Sequence, residues 1–420
     1  EVFKRTGIRS DLFEDVLVGQ PCYLGFFDGH TGVASKAALA AAGVSGPVEF
    51  TETSAVVCDA DGTPTGELQE NGAMNLIKNV IPQPSEDAFF RMVAAQFRRF
   101  NAVGLTGLHG MDGSPDDFDF LRRMEANGDL TCRLVLPFWQ KPGDSFEGMR
   151  AQLPRRDEHG RRWRAGVAKF FLDGVIDSGT AWLLEPDTKG DCTEPFWPEP
   201  QRYSDAVALF AGAGFQCATH CVGDAAVRWA LDSYKAAGAA PGIRHRIEHI
   251  EQLDDADLPR FAAENVVASM QPLHMGYFEG DRSDAWCVRV GPERMHRTFR
   301  TGELRASGAT VALGSDWMVA TYDPRIGMAF ARQRRPARAP EWPPVTPEQS
   351  LTGVQTLEGY TTHAARTVSE EAVAGRIAPG FRADLTAFAA DPVDVAPDDL
   401  PELPVLLTVV DGEIVYQAEA

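Results

Sequence analysis

The chain has 420 residues, 44% of them hydrophobic, which is enough for a barrel of about 250 residues plus insertions and a smaller domain. Its net charge of -20 and its pI of about 4.9 argue against nucleic acid or an anionic membrane as a partner. No apolar run approaches the roughly 20 residues needed to span a bilayer. Seven scattered cysteines do not suggest a disulfide framework, so we expect a reducing compartment, the cytoplasm. Because the sequence begins at Glu1 without an initiator Met, targeting is not judged from this end.

Alternating strand and helix patterns run along most of the chain. Ser85 predicts the N-cap of a helix with an apolar face formed by Phe89, Val93, Phe97 and Phe100. Ser204 predicts the start of another helix, and Thr346–Gln349 has the pattern of a capping box with Pro at the first helical position. Strand signals occur near residues 104, 134, 169, 218, 247, 268 and 312, one short of an eight-stranded barrel.

The tail after residue 366 has a different pattern. Val405–Tyr416 is an apolar run, an Asp-Gly turn and a second apolar run, which predicts a β-hairpin. The fold class we predict is therefore α/β: a TIM-type (β/α)8 barrel over residues 1–366, with its first strand missing and an insertion near 45–80. Residues 367–420 are predicted to be the C-terminal part of a small β-sandwich-like domain.

Four metal-capable side chains occupy strand-like runs or their ends: Lys169, His220, His249 and Asp316. The chemistry of such a barrel sits at the C-terminal ends of its strands, so these side chains are candidate metal ligands. Neutral imidazole and carboxylate are ligands for zinc and similar ions. Each has a structural alternative: packing for the histidines, an N-cap role for Asp316, and a buried ion pair with Asp173 or Asp177 for Lys169.

The run His245–His249 is ambiguous in its orientation. A period of two places His245, Ile247 and His249 on one face, and Arg246 and Glu248 on the other. His249 lies closer to the C-terminal end of the strand, so it is the better ligand, while His245 is predicted to fill the core.

With these motifs in order, the chain resembles the amidohydrolase superfamily, in the branch of the N-substituted formamide deformylases (YtcJ-like proteins). The resemblance covers nearly the whole chain. Its motifs are Phe27–His30, Gly66–Asn71 (GELQEN), Lys169–Leu184, Thr219–Asp224, His245–His249, Ser269–His274, Gly314–Trp317 and Gly375–Leu385.

The resemblance implies a divalent metal, zinc, as one or two ions. The implied ligands are Lys169, in carbamylated form, with His220, His249 and Asp316. Asp316 is also the implied catalytic proton shuttle of a reaction in which a metal-bound hydroxide hydrolyses a non-peptide amide or formamide C–N bond. The implied substrate-facing residues are His30, Asp173, Thr180 and His274.

One part of the family pattern is missing. The family carries a His-x-His pair after its first strand, whereas the nine histidines of this chain include no such pair. We therefore expect an N-terminally truncated sequence. The partner is expected to be a small amide-type substrate, and a homodimer is left open. Two alternative functions remain: a deaminase or cyclic-amide hydrolase of the same superfamily, and a non-catalytic barrel that lacks the first-strand ligands.

Overall fold

A small antiparallel sheet forms the N-terminal part of the protein. The computed structural model describes residues 7–26, 29–114 and 117–419, so Phe27 and Asp28 of the Phe27–His30 motif lie outside the described residues. The first sheet has the strand order β1-β2-β4-β3. Its strands are β1 (Tyr23–Gly25), β2 (Thr31–Ala34), β3 (Ala55–Cys58) and β4 (Pro64–Gln69), and its helices are α1 (Glu14–Leu17), α2 (Lys36–Ala41) and α3 (Glu70–Lys78). This sheet has its own core around Leu68, Met74 and Ile77, which are almost fully buried.

The central sheet contains seven parallel strands in sequential order. They are β5 (Gly107–His109), β6 (Arg133–Trp139), β7 (Trp163–Phe171), β8 (Gln216–Cys221), β9 (Arg246–His249), β10 (Val267–Met270) and β11 (Val311–Leu313). The accompanying helices are α4 (Glu86–Ala102), α5 (Asp117–Ala126), α6 (Phe146–Gln152), α7 (Pro200–Gly212), α8 (Asp224–Ala237), α9 (Leu258–Ala263), α10 (Ala285–Val290), α11 (Thr301–Ala306), α12 (Pro324–Gln333), α13 (Gly353–Tyr360) and α14 (Thr362–Thr367).

The parallel sheet is curled like a barrel wall. Arg246 on β9 lies 3.0 Å from His109 on β5, although three strands separate them in the sheet. The strands β5 and β11 are the two edges of this sheet. A cavity of about 860 Å³ is lined by residues of β5 and of the helices α13 and α14. The predicted TIM-type fold is thus confirmed, with seven strands among the described residues.

A three-stranded antiparallel sheet follows near the C-terminus, in the order β12-β13-β14. Its strands are β12 (Leu385–Phe388), β13 (Val405–Val410) and β14 (Glu413–Gln417). The predicted hairpin is confirmed, with Asp411 and Gly412 both at positive φ as the favoured two-residue hairpin turn requires. Arg133 on β6 joins this sheet to the barrel through Asp384 at 2.6 Å and Asp411 at 2.7 Å.

Three of the local helix predictions differ from the structure. Ser85 caps α4 as predicted, but the buried face includes Phe90 rather than Phe89, which is 46% exposed. The prediction that Ser204 starts a helix is wrong, because Pro200 at the first helical position begins α7 four residues earlier.

The prediction that a helix starts at Thr346 is also wrong. Residues 347–349 make only a single 3-10 turn, and the capping box belongs to Thr352 and Gln355 at the start of α13. The reason is that Gln349 is held by α11: its carbonyl accepts a hydrogen bond from Thr301, and its side chain accepts one from the Glu303 amide.

Two other properties concern the described residues as a whole. Their helices include none with the length and apolar character needed to cross a membrane. All seven cysteines are free, and Cys217 and Cys221, on either side of His220, are buried in the packing around β8.

Candidate metal centre

Three metal-capable side chains meet above the C-terminal ends of neighbouring strands. His249 ends β9, His274 follows β10 and Asp316 follows β11; one donor atom from each lies within 4.8 Å of the other two. The imidazole of His220 on β8 lies beside them, with its ring centroid 4.4 Å from that of His249. The ring of His30 is 5.2 Å from that of His220. Four imidazoles thus line one cavity of about 40 Å³, together with the carboxylates of Asp177, Glu251 and Asp316.

His249 reaches this cavity through a break in strand alternation. The interior of the barrel holds Arg246 and Glu248, which form an ion pair with Nε and Oε1 2.5 Å apart, whereas Ile247 packs into the outer core. The predicted separation of Ile247 from Arg246 and Glu248 is therefore confirmed, and only the placing of His249 on the face of Ile247 is wrong. His249 has φ 76°, a strained value for a non-glycine residue, and this turn brings its side chain to the interior despite the register.

His245, at the foot of the same strand, has a structural role as predicted. Its Nδ1 accepts a hydrogen bond from the Cys217 amide at 3.0 Å, and its Nε2 donates to the Gly238 carbonyl at 2.9 Å.

Asp316 also has a left-handed backbone, with φ 53°. The alternative that it caps the following helix is wrong, because the N-cap of α12 is Asp323, whose carboxylate accepts a hydrogen bond from the Arg325 amide. The side chain of Asp316 is 34% exposed, so it reaches both the buried histidines and the cavity mouth.

His274 was predicted to face the substrate, and the structure places it with His249 and Asp316. Its Nδ1 lies 3.5 Å from Glu251 Oε1, and Glu251 Oε2 accepts a hydrogen bond from the Trp286 indole at 2.6 Å. Its Nε2 is buried and has no hydrogen-bond partner in the described part of the chain; it lies 3.8 Å from Asp316 Oδ2. A histidine that turns one nitrogen to a carboxylate and leaves the other facing a cavity has the typical arrangement of a metal ligand.

Burial and nearby carboxylates shift the pKa values of three of these imidazoles. It lowers the pKa of His220 and of His249 well below the usual value, so both are neutral with a lone pair available. Burial also acts to lower the pKa of His274, but Glu251 and Asp316 outweigh it and raise that pKa. His220 Nε2 lies 3.1 Å from the Gly174 carbonyl, outside the three-residue cluster.

Lys169 is fully buried in β7, below the cluster. Its Nζ lies 4.4 Å from the centroid of the Phe171 ring. Burial lowers its pKa, opposed by the charges of Glu248, Asp316 and Asp112. The alternative ion pair with Asp173 is not formed among the described residues.

Asp173 and Thr180 support the walls of the cavity and do not line it. The Asp173 carboxylate accepts hydrogen bonds from the Trp182, Val222 and Gly223 amides, and burial raises its pKa to about 8. Thr180 donates to Glu70 Oε1 at 2.6 Å. His30 and Asp177 line the cavity, and contact of Asp173 or Thr180 with a substrate stays a prediction.

Sequence reasoning did not single out Glu70 or Glu251. Glu70 lies in the GELQEN motif, and Glu251 follows His249 by two residues. Neither has a spacing signal of its own, because each meets its histidine through tertiary contact.

A barrel of parallel strands with histidines and an aspartate at its strand ends has the architecture of metal-dependent hydrolases. The amidohydrolase family model matches residues 5–416, and the chain therefore belongs to the amidohydrolase family, a family of hydrolases. Membership of this family implies a divalent metal ion.

Similar proteins agree with this assignment. The chain is 27% identical to the putative amidohydrolase YtcJ of Bacillus subtilis (strain 168), over 92% of this chain and 72% of that protein. It is also 27% identical to the N-substituted formamide deformylase of Arthrobacter pascens, over 99% of this chain and 76% of that enzyme. Among solved structures, an uncharacterized metal-dependent hydrolase from Pyrococcus horikoshii OT3 has a TM-score of 0.71 at 22% identity, covering 91% of this chain and 74% of that one.

Proposed function

We propose that the protein is a metal-dependent amidohydrolase that cleaves the C–N bond of a small non-peptide amide of formamide type. The observation that carries this proposal is the cluster of His249, His274 and Asp316 at the C-terminal ends of neighbouring strands. The similarity to an N-substituted formamide deformylase supports the type of bond.

The donor set fits a divalent cation. Two histidines and a carboxylate are nitrogen and oxygen ligands that suit zinc, and the buried His274 Nε2 has no other partner in the described chain. His220 is the neighbouring candidate ligand. Lys169 would join a second site after carbamylation, which removes the positive charge that its burial disfavours.

When bound, the metal would supply Lewis-acid activation of water and of the substrate carbonyl. Asp316 is the residue we assign to proton transfer, because its carboxylate is both at the cluster and open to the cavity mouth. It would take a proton from the attacking water and return it to the leaving nitrogen. The apolar wall that includes Phe278 and Trp286 would exclude water from the site.

Metal content and substrate turnover test this proposal together. The purified full chain should contain about one to two metal ions, should release formate from N-substituted formamides, and should lose this activity on treatment with a chelator. Replacing His274 with alanine should remove most of the metal. Replacing His296, an exposed histidine outside the cavity, should not.

The alternatives give different results. Ammonia release from amino-heterocycles, with amides untouched, would replace the proposal with a deaminase. A folded protein that binds no added zinc would favour the non-catalytic barrel and contradict the proposal.

A further inference from the structure

The N-terminal sheet delivers two buried side chains to the cavity of the barrel. In the antiparallel pairing of β2 with β4, Thr31 lies opposite Gln69, and this register places the preceding His30 beside the following Glu70. The Glu70 amide donates a hydrogen bond to the His30 carbonyl at 2.7 Å. The local backbone pairing therefore fixes both residues together at the point where the small sheet meets the barrel.

The two side chains form a close carboxylate–imidazole pair. Glu70 Oε2 lies 2.7 Å from His30 Nδ1, and the carboxylate is only 2% exposed. Its other oxygen accepts the Thr180 hydroxyl hydrogen bond, so both oxygens are engaged by donors. Because an ionised carboxylate only accepts, the proton of the shared hydrogen bond belongs to His30 Nδ1. In the neutral imidazole, Nε2 is then the nitrogen without a proton.

The position of Glu70 is strained and tightly enclosed. Its φ of 63° is a left-handed, strained value for a non-glycine residue, of the kind that clusters at functional sites. Gly174, in the loop after β7, approaches so closely that a Cβ there would collide with Glu70 Oε1 and with Thr180 Oγ1. Two separate segments, the one that carries His30 and the loop that carries Gly174 and Thr180, thus converge on this carboxylate.

We propose that Glu70 is a positioning residue that fixes the Nδ1–H tautomer and the ring orientation of His30 at the cavity wall. The inference rests on the proposed function for its catalytic consequence. His30 lines the cavity, and its ring is 5.2 Å from that of His220. In the neutral ring, this tautomer makes Nε2 the acceptor nitrogen of an imidazole at the cavity wall, which sets the kind of hydrogen bond that His30 would offer a substrate.

The tautomer can be measured without turnover. In the full chain with 15N-labelled histidine, a long-range 1H–15N correlation spectrum reports which ring nitrogen carries the proton, and a His30→Gln spectrum assigns the signal. The wild-type protein should show His30 protonated on Nδ1. Glu70→Leu should lose this fixed state, whereas Glu70→Gln, which retains an acceptor, should keep most of it.

Turnover of a formamide substrate gives the second readout. Glu70→Leu should lower kcat about 10- to 100-fold, as expected when an orienting carboxylate is removed from a histidine of the site, with a smaller change in KM. Glu67→Leu, on the adjacent strand β4, is the matched control and should change neither readout. If Glu70→Leu does not fold, Thr180→Val should shift both readouts in the same direction by a smaller amount.

The outcomes separate this inference from the proposed function. An unchanged His30 tautomer in a folded Glu70→Leu variant would overturn it, as would a changed tautomer with wild-type kcat and KM. Failure of the wild-type protein to hydrolyse any amide would instead count against the proposed function, and the tautomer result would still decide the structural role of Glu70.

Discussion

Replacing Glu251 with glutamine should weaken zinc binding by about 10- to 100-fold, the usual effect of losing a carboxylate behind a histidine ligand. This loss of affinity corresponds to about 1.4 to 2.8 kcal/mol of binding free energy. The structure favours the lower end, because Glu251 Oε1 lies 3.5 Å from His274 Nδ1, at the limit of a hydrogen bond. The negative charge of Glu251 should therefore contribute more to the zinc affinity than its long contact with His274 Nδ1 does.

A competition titration against a chromogenic chelator at about pH 8 measures this change, because that pH lies above the ordinary histidine pKa of about 6.5. Glu251 helps to raise the pKa of His274, so its removal lowers that pKa and reduces competition from protons. The ratio of wild-type to variant affinity should therefore shrink as the pH falls.

Trp286→Phe provides the control for this experiment. It removes the indole donor to Glu251 Oε2 but leaves the carboxylate beside His274, so zinc affinity should fall by less than in Glu251→Gln. An unchanged zinc affinity in Glu251→Gln, with unfolding at the wild-type temperature, would refute the assignment of His274 as a ligand supported by Glu251.

Three further predictions concern the proton shuttle, the small sheet and the tail. Asp316→Asn should lower kcat by about 10²–10⁴-fold, the contribution typical of general acid–base catalysis, and a variant that turns over normally would exclude Asp316 as the shuttle. Leu68→Ala should cost about 2–5 kcal/mol in the free energy of unfolding, measured by urea denaturation, because the side chain is fully buried; Leu406→Ala, at a half-exposed position, should cost much less. Burial acts to raise the pKa of Asp411, but Arg133 and Arg161 outweigh it and lower that pKa. Their ion pairs with Asp411 therefore stabilise the fold above about pH 4, and this stabilisation is lost as the pH falls through the lowered pKa. Arg133→Ala should therefore make the free energy of unfolding less dependent on pH below about pH 4. An unchanged pH dependence would contradict this.

Local pattern was sufficient for the order of the parallel strands, although it did not predict the four-stranded N-terminal sheet. Periodicity depends on neighbours in the chain, and for that reason all seven parallel strands and the Asp411-Gly412 hairpin could be predicted. The ends of helices were less predictable, because Pro200 and the contacts of Gln349 with α11 override local capping signals.

The sequence by itself determined which strands end in metal-capable side chains, and so it singled out His220, His249 and Asp316. Only the tertiary structure decided how these side chains combine. The left-handed backbone at His249 reverses the orientation that alternation predicts, and the curl of the sheet joins His274 to the cluster in place of His220. These outcomes depend on contacts between segments far apart in the chain, which no local spacing encodes.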